Sequence, residues 1–209
     1  MMTKTLMAAG AATLAFAAAP ARADVWHDPS LRSDIGMDVN VGGGVTSFTD
    51  SAMRGLMANS VSPLWDVSAS IGTHVPIGVD VSYVGSATPI RALGDDDGNL
   101  VGTTFEGAVR YNILPRLVWD PYVFAGIGWQ RYDVQSAKFA DADTGISKED
   151  NLAEVPMGAG ITYRKGDGLI ADLRGTFRAA MSSTLLLESN GDHAPLHSWE
   201  ASAGIGYEF

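Results

Sequence analysis

The stretch "VPMGAGITYRKGDGLIADLRGTFR", residues 155–178, consists of two alternating segments separated by a short turn. Apolar or small side chains occupy every second position from Val155 to Tyr163, with glycine, threonine or proline between them. The same alternation runs from Leu169 to Phe177. Because successive side chains of a strand point to opposite faces, the stretch predicts a β-hairpin with one apolar face and a turn at "KGDG".

The same period of two recurs along most of the chain and predicts eight strands. In the fifth, the set from Val123 to Trp129 competes with Tyr122 and Phe124 for the apolar face, and we predict that the first set faces outward. The predicted strands are residues 35–48, 65–73, 77–85, 101–112, 121–132, 153–164, 169–178 and 198–209.

The predicted connections alternate between short and long. The short ones are "HVP", "ILPRLVWD" and "KGDG", whereas the long ones span about residues 49–62, 87–99, 133–152 and 181–197. An even number of strands joined in this rhythm is typical of membrane barrels. The predicted fold is therefore all-β: an eight-stranded antiparallel transmembrane β-barrel with short periplasmic turns and four longer external loops.

The ends and the composition of the chain define its class. Residues 1–23, "MMTKTLMAAGAATLAFAAAPARA", have an early lysine, an apolar run and small residues before the expected cleavage point, which predicts a signal peptide. We expect residues 24–34 to form a short periplasmic segment and residues 35–209 to form the barrel. The formal net charge of -10 argues against nucleic acid as a partner.

The composition of the two strand faces predicts which of them meets lipid. Glycine, serine, threonine and a few charges dominate the polar face, as suits the narrow lumen of an eight-stranded barrel. In a soluble barrel the apolar face would instead form the core, so periodicity alone leaves both arrangements open. Aromatic residues near the predicted strand ends favour the membrane, where they would form two girdles: Trp65, Tyr83, Tyr111, Trp129, Tyr163, Trp199, Tyr207 and Phe209.

Three stretches carry a family resemblance. "PYVFAGIGW" at 121–129, the hairpin at 155–178 and "ASAGIGYEF" at 201–209 resemble the small OmpA-like and opacity-type outer-membrane β-barrel family. The resemblance implies a multi-pass protein of a Gram-negative outer membrane, in contact with lipid and lipopolysaccharide. It also implies recognition by the barrel assembly machinery through Ile205, Tyr207 and Phe209. The chain ends at the barrel, so the peptidoglycan-binding domain that OmpA carries is not expected.

Charged residues on the inward face are expected to pair, because an unpaired ion is costly to desolvate. The hairpin turn places Arg178 level with Glu154, and Glu200 begins the neighbouring strand, so we predict that these three residues form a cluster. The cluster would be either a salt-bridged plug or part of a gated ion path. The predicted lumen network is Glu106, Arg110, Glu154, Asp172, Arg174, Arg178 and Glu200, and the other inward charges are Asp66, Asp80 and Arg164.

No catalytic, metal or cofactor site is predicted. The histidines are His27, His74, His193 and His197, and the adjacent pair His197–Ser198 would point to opposite sides of a strand. "GDDDGN" at 94–99 lacks the spacing of a calcium loop, so we interpret it and the acidic residues 133–150 as solvated loops. Bridging of these loops to lipopolysaccharide phosphates by divalent ions is a hypothesis.

The apolar segment "STLLLES" at 183–189 has three open interpretations. It could extend the seventh strand, fold over the barrel mouth or contact a partner.

The leading functional prediction is a structural or surface-interaction role in which the external loops bind a cell-surface ligand. A narrow channel for ions or very small solutes is the first alternative, and a lipid-modifying enzyme is the second.

Overall fold

The computed structural model describes residues 35–57, 61–91, 97–135, 149–181 and 196–209. Each strand pairs antiparallel with the next, and the eighth pairs with the first, so the sheet is a closed barrel. The predicted fold class is confirmed. The elements are β1 (Met37–Phe48), α1 (Ser51–Leu56), β2 (Ser62–Ile71), β3 (Ile77–Arg91), β4 (Asp97–Asn112), β5 (Trp119–Gln135), β6 (Glu149–Arg164), β7 (Leu169–Ala180) and β8 (Ser198–Glu208).

Several predictions fall on residues outside those ranges. They are the signal peptide at 1–23, the segment 24–34, His27, His193, residues 92–96 of the second loop, residues 136–148 of the third and the whole of "STLLLES". Within the described ranges, no helix combines the length and the apolar composition needed to cross a bilayer.

β5 resolves the ambiguity between its two apolar sets as predicted. Ile127 is 77% exposed on the outside, whereas Tyr122 and Phe124 are 1% and 4% exposed in the lumen. The two inward rings carry guanidinium groups on their faces: Arg110 lies 3.5 Å from the centre of Tyr122, and Arg174 lies 3.7 Å from that of Phe124. These cation–π contacts explain why two aromatic residues occupy the polar side of the sheet.

The last strand closes the barrel. β8 pairs with β1 from Asp38↔Glu208 to Phe48↔Ser198, and the amide of Phe209 donates to the carbonyl of Met37 over 2.8 Å. This pairing removes the open edge that β1 and β8 would otherwise present. The three residues of the predicted assembly signal, Ile205, Tyr207 and Phe209, are exposed on the outside.

The prediction of a long second loop at residues 87–99 was wrong. β3 and β4 continue to pair as far as Pro89↔Asn99 and Arg91↔Asp97. Proline, glycine and aspartate suggested a loop, but strand pairing with β4 imposes extended structure on this stretch. Strand pairing likewise extends β5 to Gln135 and starts β6 at Glu149. Because β3 and β5 are longer than predicted, Tyr83 and Trp129 lie within their strands rather than near strand ends.

The "KGDG" turn depends on a glycine with a left-handed backbone. Gly168 has φ = 90°, and its amide donates to the carbonyl of Lys165 over 3.0 Å. Asp167 Oδ1 accepts the amide of Leu169 over 3.2 Å, and this hydrogen bond lowers the pKa of the Asp167 carboxyl. The turn therefore positions the start of β7 by backbone geometry and one carboxylate.

Replacing Gly168 with alanine should lower the free energy of unfolding by about 1–2 kcal/mol, the cost of a left-handed non-glycine residue. An added Cβ would also approach the Tyr207 ring to 2.8 Å and the Glu208 carbonyl to 2.9 Å. Urea unfolding in detergent micelles measures the effect. The control is Gly175→Ala, whose Cβ would meet nothing closer than 3.9 Å. Equal losses for the two variants would contradict the prediction.

Candidate functional site: the lumen and its two ends

The two ends of the barrel differ in their connections. We call the end with the three short connections (72–76, 113–118 and 165–168) the turn end, and the opposite end the loop end. Between them, the outer surface is an apolar belt with aromatic side chains toward both margins. On β8 the belt extends over the nine residues from Trp199 to Tyr207, which span roughly 20 Å at the usual strand tilt. This height is close to the apolar band of a membrane barrel, about 25 Å.

The outward face of β5 becomes charged beyond Trp129, at Arg131 and Asp133. There β3–β6 form what we call the loop-end wall, residues 86–91, 97–104, 130–135 and 149–153. Arg131 lies on its outer face, with Nη2 3.0 Å from Asp133 Oδ1 and 2.8 Å from Glu149 Oε2. The change from Trp129 to Arg131 on one face of one strand marks the upper margin of the belt.

Arg164 connects two of the short turns inside the barrel, those at 72–76 and 113–118. Its Nη2 donates to Asp120 Oδ2 over 3.1 Å and to the carbonyl of Thr73 over 3.0 Å. Its Nη1 donates to the carbonyl of Leu117 over 3.2 Å, and its Nε donates to Glu208 Oε1 over 3.1 Å. The side chain is 1% exposed. One guanidinium thus joins β5, β6, β8 and two turns and fills the lumen at the turn end.

Residues of the first turn complete this cluster. Glu208 Oε1 also accepts the hydroxyl of Thr73 over 2.8 Å and lies 3.1 Å from His74 Nε2. Asn112 Nδ2 donates to the carbonyls of Gly72 and Val75. These buried polar side chains bond to one another and to backbone carbonyls of the turn, as buried polar groups generally do.

A second layer lies at mid-height. The hydroxyl of Tyr122 donates to Asp172 over 2.9 Å, and the hydroxyl of Thr162 donates to the same carboxylate over 2.8 Å. Arg174 Nη1 lies 3.3 Å from Asp80 Oδ2. Arg110 Nη2 donates to Thr162 over 2.9 Å, which links this layer to the turn-end cluster.

Arg178 forms the third layer, toward the loop end. Its Nε lies 3.2 Å from Glu106 Oε2 and 3.3 Å from Glu154 Oε1, and its two terminal nitrogens both donate to Glu200. Ser82 donates to the other oxygen of Glu106 over 2.8 Å. Arg174 Nη2 also lies 3.8 Å from Glu106 Oε1, so two guanidinium groups face the three buried carboxylates of this layer.

The structure brings together the predicted trio of Glu154, Arg178 and Glu200, although the expected register is shifted. Arg178 pairs with Pro156, and Glu154 faces Ala180. The long side chains meet because diagonal neighbours on adjacent strands are within their reach. Glu106 joins the trio from across the lumen.

The remaining predicted lumen residues divide between the other two layers, and some partners were missed. Asp172, Arg174 and Asp80 lie in the middle layer, and Arg110 and Arg164 line the turn-end cluster. Asp66 is only partly buried. Sequence reasoning did not identify Asp120, Glu208 or His74 as lumen residues. The alternation of β8 already placed Glu208 inward, in phase with Glu200.

An apolar cluster, the apolar cap, closes the loop end above Arg178. Its members are Phe48, Met53, Met57, Leu100, Tyr132, Leu152 and Leu196. Between the cap and the Arg178 layer lies a small chamber with about 20 Å³ of space for water, which is room for roughly one molecule.

His197 and Ser198 diverge as predicted. The His197 ring packs against Phe177 with 6.1 Å between ring centres, and its Nδ1 accepts the amide of Ala180 over 3.0 Å. Ser198 is buried in the lumen. The two side chains therefore cannot act as a nucleophile and its base.

Comparison with solved structures identifies the architecture. A major outer-membrane protein of Thermus thermophilus is 13% identical with a TM-score of 0.56, covering 85% of this chain and 100% of its own. OprG of Pseudomonas aeruginosa is 13% identical with a TM-score of 0.55, covering 84% and 96%. The fold is that of an outer-membrane β-barrel. Ail of Yersinia pestis, the attachment invasion locus protein, is 12% identical with a TM-score of 0.54, covering 85% and 100%.

Sequence comparisons add nothing to the structural ones. No family model matches the chain, and no curated protein gives a significant match. The outer-membrane barrel fold therefore stands on the closed eight-stranded sheet, its apolar belt and its structural neighbours.

Proposed function

We propose that this protein is an integral barrel of a Gram-negative outer membrane with a structural or surface-interaction role carried by its external loops. The observation that carries the proposal is the distribution of side chains, which is the inverse of that in a soluble barrel: apolar side chains cover the outside, and ion pairs fill the inside. Such a barrel is suited to hold loops at a membrane surface while passing nothing through its centre.

The layers of the lumen support a closed interior. Arg164 at the turn end, Tyr122 with Asp172 at mid-height and Arg178 toward the loop end each bridge different strands. These side chains are all held by ion pairs, hydrogen bonds or ring contacts. Opening a water path would require breaking several buried charge pairs at once, each of which is costly to separate.

We assign the chain to the small OmpA-like and opacity-type barrels on its resemblance at residues 121–129, 155–178 and 201–209. The assembly machinery would read Ile205, Tyr207 and Phe209, whose side chains are exposed on the last strand. Lipid would contact the belt, lipopolysaccharide would contact its loop-end margin, and a cell-surface ligand would bind the loops. One structural neighbour is named for attachment and invasion, and binding of whole cells by loop-exchanged variants tests that kind of role here.

The purified barrel should give no steady conductance in planar bilayers, because the three layers leave no continuous path through the described lumen. A porin of known conductance, inserted under the same conditions, controls for insertion. Reproducible channel events that respond to Arg178→Ala would contradict the proposal and favour the narrow channel. That alternative rests on the excess of carboxylates over guanidinium groups around Arg178.

We propose no enzymatic role. Among the described residues, His197 packs against Phe177 and the adjacent Ser198 points the other way, which leaves that histidine without a neighbouring nucleophile. An altered lipid A mass after expression would overturn this part of the proposal and favour the lipid-modifying enzyme.

A further inference from the structure

The ladder between β7 and β8 ends on a side chain in place of a backbone carbonyl. The last paired residues are Arg178 and Ser198. The next amide of β7 on the β8 side belongs to Ala180, and it donates to His197 Nδ1 over 3.0 Å. The imidazole ring packs against Phe177, with 6.1 Å between ring centres. A histidine nitrogen therefore serves as the final acceptor of this strand pair at the loop end.

The hydrogen bond from Ala180 determines the charge and the tautomer of His197. A ring nitrogen that accepts a backbone amide carries no proton, so the imidazole is neutral and its proton lies on Nε2. Adding a proton would turn Nδ1 into a donor that faces the N–H of Ala180. The Ala180 amide would then lose its acceptor for as long as the ring stays charged.

The backbone of His197 also holds the first connection of the loop end. Its carbonyl accepts the amide of Thr49 over 2.9 Å and the hydroxyl of Thr49 over 3.2 Å. Arg54 Nη1 in turn donates to the carbonyl of Thr49 over 2.8 Å, which ties α1 to the same point. His197 thus joins the end of β7, the start of β8 and the connection between β1 and α1 through one chain of hydrogen bonds.

No carboxylate among the described residues forms an ion pair with His197. The residues that bond to it or pack on it are Phe177, Ala180 and Thr49, none of which titrates. The charged residues of the neighbouring elements have other partners and are Asp50, which accepts the amide of Met53, Arg54, which donates to backbone carbonyls, and Glu154, Arg178 and Glu200, which pair in the lumen. Protonation of the ring therefore gains no ion pair with these groups that would offset the lost hydrogen bond.

We propose that His197 is an acid-sensitive latch for the two connections that meet at it. The neutral ring holds Ala180, and the carbonyl of the same residue holds Thr49. Histidine is the side chain that ordinarily changes charge between about pH 5 and 8, so mild acid opens the latch while the barrel strands stay paired. Control of loop binding by pH would follow, and that consequence alone rests on the proposed surface role.

Amide hydrogen exchange of the full chain in detergent micelles tests the latch, with each rate corrected for the intrinsic effect of pH. The protection of Ala180 should fall about 5- to 10-fold between about pH 7.5 and about pH 5, the expected effect of losing one hydrogen bond. Thr49 should lose protection with it. The amide of Glu208, which donates to the carbonyl of Gly168 at the turn end, should keep its protection.

Substitution of His197 identifies the responsible group. His197→Gln retains a side-chain acceptor that does not titrate, so the exchange of Ala180 should no longer depend on pH. His197→Phe retains a ring without an acceptor, so Ala180 should exchange fast at both pH values. If His197→Gln fails to fold, as judged by heat-modifiability on a gel, His197→Asn replaces it.

Three results would overturn the latch. They are unchanged protection of Ala180 in the natural chain, an acid effect that persists in the His197→Gln variant, and an equal loss of protection at Glu208, which would indicate general loosening of the barrel. A barrel whose loops bind no cell-surface ligand would give the same exchange rates, so the latch and the proposed function fail separately.

Discussion

Replacing Arg178 with leucine should lower the free energy of unfolding by roughly 3–5 kcal/mol, the cost of leaving buried charges without their partner. The guanidinium is the shared ion-pair partner of Glu106, Glu154 and Glu200, and all four side chains are at most 5% exposed. Leucine replaces the apolar stem of the arginine without its charge, so the loss of stability would come mainly from the uncompensated carboxylates. Urea unfolding in lipid vesicles, followed by tryptophan fluorescence, measures the effect.

Arg131→Leu is the matched control. Arg131 also pairs with two carboxylates, but it is exposed on the loop-end wall, where solvent screening leaves such pairs little effect on stability. Adding Glu154→Gln to the Arg178→Leu variant should restore part of the lost stability, because it removes one uncompensated charge. Similar losses for Arg178→Leu and Arg131→Leu would show that burial of the Arg178 network contributes little.

Replacing Val109 with arginine should destabilise the barrel by up to about 2–4 kcal/mol, the range for a cation on the lipid-facing surface at the bilayer midplane, where the cost is greatest. Val109 is 59% exposed and lies on the outward face of β4 between Phe105 and Tyr111. If the belt faced water, arginine at so exposed a position would leave the free energy of unfolding nearly unchanged. The sign and size of this one substitution therefore distinguish lipid from water as the solvent of the apolar belt.

Asn99→Arg provides the control on the same strand and the same face. Asn99 lies ten residues from Val109, beyond Phe105, and pairs with Pro89 and Gln135 rather than with a charged residue. We expect a change of at most about 0.5 kcal/mol there, measured by the same unfolding assay in vesicles. Equal tolerance of arginine at both positions would contradict the position of the belt.

The hairpin of β6 and β7 could be predicted from sequence because its information is local. Alternation between Val155 and Phe177 determines which side chains point outward, and "KGDG" determines the turn. The extension of β3 and β4 could not be predicted in this way. Pro89, Asp97 and Gly98 have low strand propensity, and only pairing with the opposite strand makes their backbone extended.

Within the lumen network, only contacts between neighbouring strands could be predicted from sequence. Pairing of β6, β7 and β8 brings Glu154, Arg178 and Glu200 together, and each of them could be identified from alternation. Glu106 reaches Arg178 across the lumen, a contact that depends on the curvature of the closed sheet. The contacts of Arg164 with the turn backbone likewise depend on turn conformations that no alternation specifies.

Quenching of tryptophan fluorescence by lipids brominated in their acyl chains tests the inversion of the two faces most directly. Trp65, Trp129 and Trp199 are exposed on the outside of the barrel, so a reconstituted protein with Trp26 and Trp119 changed to phenylalanine keeps only these reporters. We expect strong quenching by the brominated lipids and weak quenching by aqueous iodide. A protein that stays monomeric in water without detergent, with emission insensitive to brominated lipid, would contradict the account.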